Sequence, residues 1–166
     1  MADGRRVAAA AALAVLLTGA ACGEPPVDVS IPARDGDAAV LDVAEVLSED
    51  LSAQLEAIRA EQELDIVALT YETGQASAGE ARRAAQAMVS AWDADIALVA
   101  VAEQGDFTGA GEDRRRFFGL EPADQFAVPR SVRERIVEQE VLPIAARDDW
   151  DGVFLHAAEQ LAEALP

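Results

Sequence analysis

Apolar positions beyond residue 38 follow two different periods along the chain. Leu51, Leu55 and Ile58 recur at helical spacing after Ser48, which together with two acidic residues favours the start of a helix. The stretches DIVALTY at 65–71 and DIALVAVA at 95–102 are short, nearly continuous apolar runs. Such runs are typical of strands that are buried on both faces of a sheet.

Further helices are predicted on both sides of the second run. Ser77 and Glu80 form a capping box before an alanine-rich helix that ends near Trp92. Ser131 and Glu134 repeat that spacing, and Asp148 or Asp149 is predicted to cap the last helix. The RRFFG stretch at 115–119 is predicted to be a third strand.

Helices and strands therefore alternate along the chain. This order, with central strands buried on both faces, predicts an α/β fold: a three-layer α/β/α sandwich with a short central sheet. Right-handed crossovers between parallel strands would place helices on both sides of that sheet. We expect this single domain to cover residues 39–166.

The amino terminus has the three parts of a secretory signal. Two arginines precede an uncharged apolar run, which is too short for a stable membrane span, and small residues then lead to Cys22, the only cysteine. Small residues ending on a cysteine resemble a bacterial lipobox, so residues 1–21 are predicted to be a signal peptide and Cys22 a lipid-acylated anchor. The alternative is an ordinary secreted protein whose free cysteine lies near the cleavage point.

Residues 22–38 contain three prolines, two glycines and several acids without a sustained period. This composition predicts an extended tether between the acylated Cys22 and the domain. We therefore expect the protein at the cell membrane, lipid-anchored and facing the extracytoplasmic side.

The charge balance restricts the classes of partner. The chain has 31 acidic and 13 basic residues, for a net charge of −18. Such a surface repels nucleic acid and anionic lipid head groups, so neither is an expected partner and the membrane is reached only through Cys22.

Carboxylates near predicted element ends are the candidate metal ligands. Asp42 precedes the first helix, and Asp93 and Asp95 flank the start of the second apolar strand. Hard cations such as Ca²⁺ prefer several carboxylate oxygens, which separate loops can supply together. The alternative is that each of these residues is a cap or a turn residue.

Arg114 belongs to the only basic run, RRR at 114–116. Its guanidinium fork matches phosphate oxygens, so the run is a candidate anion site. The alternative is a strand whose arginines pair with the surrounding acids. Phe117 and Phe118 are expected to point to opposite faces of that strand.

Several segments, in their order and spacing, resemble the TPM domain of bacterial envelope proteins and of a thylakoid-lumen protein. These segments are LDVAEVLSEDLSAQLEAI, DIVALTYE, the helix ending at Trp92, DIALVAVAE, DRRRFFGLE and VLPIAARDDWDGVFLHAAEQLAEAL, within residues 40–165.

The resemblance implies an α/β/α domain, divalent metal binding in some members and acid phosphatase activity in others. By matching position, it singles out Asp42, Asp95 and Arg114. Two functions are expected from these patterns. The first is a membrane-anchored module for binding, assembly or quality control of an envelope protein partner, with a divalent cation as an optional ligand. The alternative is a metal-dependent acid phosphatase acting on phosphomonoesters, in which Asp42, Asp93 and Asp95 hold the cation and Arg114 stabilises the phosphate charge.

Overall fold

The computed structural model describes residues 29–109 and 113–165, so Cys22 and the signal sequence lie outside the described residues. The strands are β1 (Val40–Asp42), β2 (Ile66–Thr73), β3 (Ile96–Glu103) and β4 (Arg116–Pro122). The helices are α1 (Glu49–Gln62), α2 (Ala78–Trp92), α3 (Arg130–Arg135), α4 (Leu142–Ala145) and α5 (Trp150–Ala164). A π-helical segment, Ile136–Val141, joins α3 to α4.

The four strands form one mixed sheet in the order β1-β2-β3-β4. β1, β2 and β3 are parallel to one another, whereas β4 runs antiparallel to β3. The expected α/β sandwich is confirmed, with helices on both faces of a short sheet. The strand β1 was not predicted, because three residues are too few to show a period.

Each face of the sheet has its own apolar core. One core joins Leu98 and Ala100 of β3 to α1, α5 and the π-helical segment, and the other joins Val99 and Val101 to α2. Since successive side chains of a strand point to opposite faces, β3 contributes to both cores, as its continuous apolar run predicted. The two phenylalanines of β4 divide in the predicted way, Phe117 facing the α2 core and Phe118 the other.

The helix starts agree with the sequence patterns at three of four positions. One of these is α1, which follows Ser48, although the Ser48 side chain makes no capping hydrogen bond. The side chain of Ser77 accepts a hydrogen bond from the N–H of Glu80 at 3.1 Å, and that of Asp149 caps α5. The predicted cap at Ser131 is wrong, because α3 already begins at Arg130, after Pro129. Pro129 has an extended backbone conformation, and the fixed φ of proline suits the residue before a helix.

The predicted tether at 22–38 is too long, because residues 29–38 are fastened to the domain. Arg34 forms a bidentate pair with Asp65 and lies 5.4 Å from the ring centre of Trp92. The indole N–H of Trp92 donates to the carbonyl oxygen of Pro32 at 2.9 Å. Val29 also packs against the α2 core. We call residues 29–38 the strap.

The pKa of Asp65 reflects its pairing with Arg34 of the strap. Burial alone raises the pKa of the Asp65 carboxyl, but the hydrogen bond and charge of Arg34, with a further contribution from Arg59, bring the pKa below its ordinary value. The ionised form of Asp65 is therefore the one that holds the strap in place.

Candidate functional site

The three carboxylates that were predicted to bind one cation do not converge. Asp42 ends β1 and lies level with Thr70 of β2 and Ala100 of β3. Asp95 precedes β3, five positions before Ala100 on a strand parallel to β1. At ~3.3 Å per residue, the two aspartates are separated by ~16 Å along the strand direction and by two strand spacings across the sheet. Oxygens that share a Ca²⁺ ion lie about 2.3–2.6 Å from it, so Asp42 and Asp95 cannot share one ion in this fold.

Asp42 instead closes the turn that ends β1. Its carboxylate accepts the backbone N–H of Val46 at 3.2 Å and that of Leu47 at 2.8 Å, and it also accepts the hydroxyl of Thr70. Glu45 within this turn has a positive φ of 56°, which turns the chain back towards α1. The oxygens of Asp42 therefore satisfy the backbone groups of a tight turn, which is the alternative role considered for it.

Asp93 and Asp95 also have local structural roles. Asp93 ends α2 in a left-handed conformation, φ 51°, and its N–H bonds to the carbonyl oxygen of Val89. A carboxylate oxygen of Asp95 accepts the N–H of Asp65 at 2.8 Å. Within residues 29–109 and 113–165, no group of three or more His, Cys, Asp or Glu side chains is placed to hold a metal ion.

Arg114 lies in a cluster at the start of β4. Arg114 donates to a carboxylate oxygen of Asp148 at 2.8 Å, and Arg116 donates to the same oxygen. The guanidinium of Arg116 also lies 5.3 Å from the ring centre of Trp150. The hydrogen bonds from Arg114 and Arg116 hold the pKa of the Asp148 carboxyl below its ordinary value. A phosphate at this place would have to displace Asp148, so the geometry favours the ion-pair alternative for the arginine run.

A concave feature of the described surface lies elsewhere, along the outer side of β4. It is a groove of about 580 Å³ that has α2 as one wall, α3 and the π-helical segment as the other, and β4 as its floor. We call it the β4 groove. Its lining comprises Ala78, Gly79, Arg82 and Gln86 of α2; Phe118, Gly119, Leu120 and Glu121 of β4; Gln125; and Arg130, Arg133, Glu134, Val137 and Glu138.

Gly119 explains how α2 comes so close to the floor of the groove. A Cβ atom at this position would lie 2.6 Å from the carbonyl carbon and oxygen of Ala81, closer than real Cβ contacts occur. Glycine is therefore required for the backbones of β4 and α2 to touch. The sequence contained this signal only indirectly, as a glycine inside a predicted strand opposite an alanine-rich helix.

Ion pairs order the α3 side of the groove. Arg133 donates to a carboxylate oxygen of the buried Glu121 at 3.2 Å, and the side-chain amide of Gln125 donates to the same oxygen at 2.8 Å. Arg130 and Glu134 pair at 2.6 Å on the rim. Arg82 on the α2 wall and Glu138 on the opposite wall have no ion-pair partner among the described residues.

The four-stranded α/β/α domain is also found in solved structures. The chain is similar to the N-terminal domain of a protein from P. gingivalis, solved by solution NMR, with a TM-score of 0.54 and 15% identity over 77% of this chain and 82% of that chain. It is also similar to the N-terminal domain of the cg2496 protein from Corynebacterium glutamicum, with a TM-score of 0.53 and 13% identity over 86% of this chain and 88% of that one. At these identities, the likeness concerns the fold alone.

No family model matches the chain, and no curated protein matches it. Of the helices in the described part of the chain, none has the length and apolarity needed to cross a membrane.

Proposed function

We propose that this chain is a lipid-anchored, extracytoplasmic TPM-like domain that binds a protein partner of the cell envelope and serves its assembly or quality control. The observation that carries the proposal is the β4 groove, in which the outer side of β4 pairs with no described strand and lies between two helical walls. Exposed strand edges are templates for pairing with another chain, and most proteins cover or blunt them. An edge that is kept open inside a groove is therefore suited to a polypeptide partner.

The N-terminal strap supports a position close to the membrane. If Cys22 is the acylated residue, only residues 23–28 separate it from the strap, which begins at Val29 and is packed on the domain. Six residues span at most ~20 Å. The domain would then be held within a short distance of the membrane surface, where envelope proteins lie.

The geometry gives less support to the phosphatase alternative. Asp42 and Asp95 lie at opposite ends of parallel strands, and the guanidinium of Arg114 is paired with Asp148. Metal-assisted phosphoryl transfer needs the cation, the water and the phosphate-binding cation within one site. Binding of a divalent cation stays a prediction that a titration can test.

Site-specific photo-crosslinking in living cells tests the proposal. A photo-reactive amino acid replaces Arg82 in the β4 groove of the full-length chain and, as a matched control, exposed Glu61 on α1. We expect a discrete adduct with an envelope protein from position 82 and none from position 61. Absence of a position-specific adduct, or the same adducts from both positions, would contradict the proposal.

A further inference from the structure

The hydrogen bonds between β4 and β3 show which backbone groups of β4 face the groove. The N–H of Ala123 donates to Asp95 and the N–H of Glu103 donates to Arg115, both pairs in the register of the β3–β4 ladder. In an antiparallel ladder, hydrogen-bonded and non-hydrogen-bonded pairs alternate. Odd-numbered residues of β4 therefore bond to β3, whereas the N–H and C=O groups of Phe118 and Leu120 point away from β3. Both residues line the groove, Phe118 half-buried and Leu120 5% exposed.

The groove lies where one additional strand would pair with β4, and its volume is about 580 Å³. α2 touches β4 at Gly119 on one face, and Val137 and Glu138 line the groove on the other. A strand paired with β4 lies ~4.8 Å from it, between these walls, with its alternating side chains directed to the two faces. A second copy of this chain would bring its own two helical walls to the same edge, and each copy has a net charge of −18. A separate extended segment fits the groove better than a second copy does.

Two charges of the groove, which have no ion-pair partner in the described part of the chain, indicate what such a segment would carry. Arg82 is exposed on the α2 wall and Glu138 is exposed on the opposite wall. Neighbouring residues of a strand point to opposite faces, so an acidic side chain can meet Arg82 while a basic side chain at an odd spacing meets Glu138.

We infer that the β4 groove binds its partner by β-strand addition. An extended segment of the partner protein hydrogen-bonds with the outward groups of Phe118 and Leu120, and it carries an acidic residue facing α2 and a basic residue facing the π-helical segment. This inference rests on the proposed binding function and specifies the partner's conformation and charge pattern.

The first test selects random decapeptides by display on the full-length chain in detergent micelles. We expect the enriched peptides to combine an acid and a base at odd spacing. Their binding should slow amide exchange at Phe118 and Leu120 while leaving Phe117 and Gly119, which already bond to β3, unchanged. A failure to enrich any peptide, or binding that leaves the amides of Phe118 and Leu120 unprotected, would overturn the inference. Protection of these amides that rises with protein concentration without peptide would indicate self-association instead.

A second measurement tests the backbone contact directly. N-methylation of alternate residues in an enriched peptide removes either the N–H groups that face β4 or those that face solvent. We expect a loss of affinity of at least about tenfold for one alternate set and little change for the other, since only one set supplies the N–H groups that bond to β4. Equal effects of both sets would contradict strand addition.

Charge reversal tests the specificity of the groove. A variant with both Arg82→Glu and Glu138→Arg should bind the selected peptide more weakly. It should instead bind a peptide in which the acidic and basic residues are exchanged. Arg147→Glu and Glu61→Arg, at exposed positions outside the groove lining, are the matched controls and should leave the preference unchanged. If a cellular partner is cross-linked near the groove but neither charge reversal nor the peptide affects it, the proposed function survives and strand addition fails.

Discussion

The two edges of the sheet are built in opposite ways. β1 has three residues. Ala39 and Val43, on either side of the strand, bond to β2. Because alternate residues face the same side, only Val40 and Asp42 direct their backbone groups outward. β4 has seven residues, and its outer side forms the floor of the β4 groove. A short edge strand that ends in a tight turn offers few backbone groups to another chain. A long edge strand without a pairing partner offers more of them.

The residues beside each edge follow the same division. At β1, Arg34 fastens the strap just before the strand, and the carboxylate of Asp42 closes the turn just after it. At β4, Gly119 allows the backbone of α2 to contact that of β4. One charge on each wall of the groove has no ion-pair partner among the described residues. The contrast indicates that the polar residues at the β1 edge maintain the fold. The groove beside β4 instead combines ion pairs on its α3 side with two charges, Arg82 and Glu138, that form no ion pair with a described residue.

The largest effect on stability is expected from the substitution Gly119→Ala, at the centre of β4. The added methyl group meets the backbone of Ala81 at 2.6 Å, and backbone atoms cannot move aside cheaply. We expect a loss of about 2 to 3 kcal/mol in the free energy of unfolding, measured by chemical denaturation. Gly74→Ala is the control, because nothing lies within 4 Å of its Cβ position. A Gly119→Ala variant as stable as that control would contradict the close contact of α2 and β4.

A smaller loss is expected from Asp42→Ala at the blunted edge. The substitution leaves the N–H groups of Val46 and Leu47 without their acceptor in a half-buried turn. Lost hydrogen bonds to a charged group in such a site cost about 1 to 2 kcal/mol. Asp93→Asn is the control, since asparagine also tolerates the left-handed conformation there. Thermal or denaturant unfolding measures both, and equal effects would show that Asp42 has no special structural role.

The strap beside β1 should make stability depend on acid. The pKa of Asp65 is lowered in the folded chain, so its pairing with Arg34 stabilises the fold at pH values above the ordinary pKa of 3.8. That contribution is lost as the pH falls through the lowered pKa. Asp65→Asn should therefore cost up to about 1 kcal/mol at neutral pH and flatten the acid limb of the unfolding curve. Glu61→Gln on exposed α1 is the control, and an unchanged acid limb in Asp65→Asn would contradict the pairing.

The smallest effect is expected on adding Ca²⁺ to the full-length chain. Because Asp42 and Asp95 lie at opposite ends of the sheet, calorimetry should show only a weak heat that added salt suppresses, as diffuse attraction to an acidic surface does. A saturable one-to-one isotherm that resists salt and disappears in Asp95→Asn would contradict this separation of the predicted ligands.

The layers of the fold were predictable because they depend on local patterns. The two central strands follow from apolar runs, and Ser77 and Asp149 cap helices as their positions indicated. The strap was missed, since the prolines and glycines of residues 22–38 are typical of a tether. Its contacts also reach residues about sixty positions away, as between Pro32 and Trp92. Composition does not reveal contacts of that range.

The candidate site was less predictable than the fold. The aspartates were grouped by their nearness to element ends, but the sequence does not say which end of the sheet each one occupies. The β4 groove depends on the antiparallel placement of β4 at the sheet edge and on the approach of α2 at Gly119. Both are tertiary features, and strand order is not encoded in any single segment.

Residue-resolved amide exchange of the free, full-length chain tests most directly whether the β4 edge is open. The amides of Phe117 and Gly119 bond to β3, whereas those of Phe118 and Leu120 point away from it. We therefore expect the amides of Phe118 and Leu120 to exchange at least about tenfold faster than those of Phe117 and Gly119. Equal protection of all four amides would show that the outer side of β4 is already covered, and would contradict its role as a binding edge.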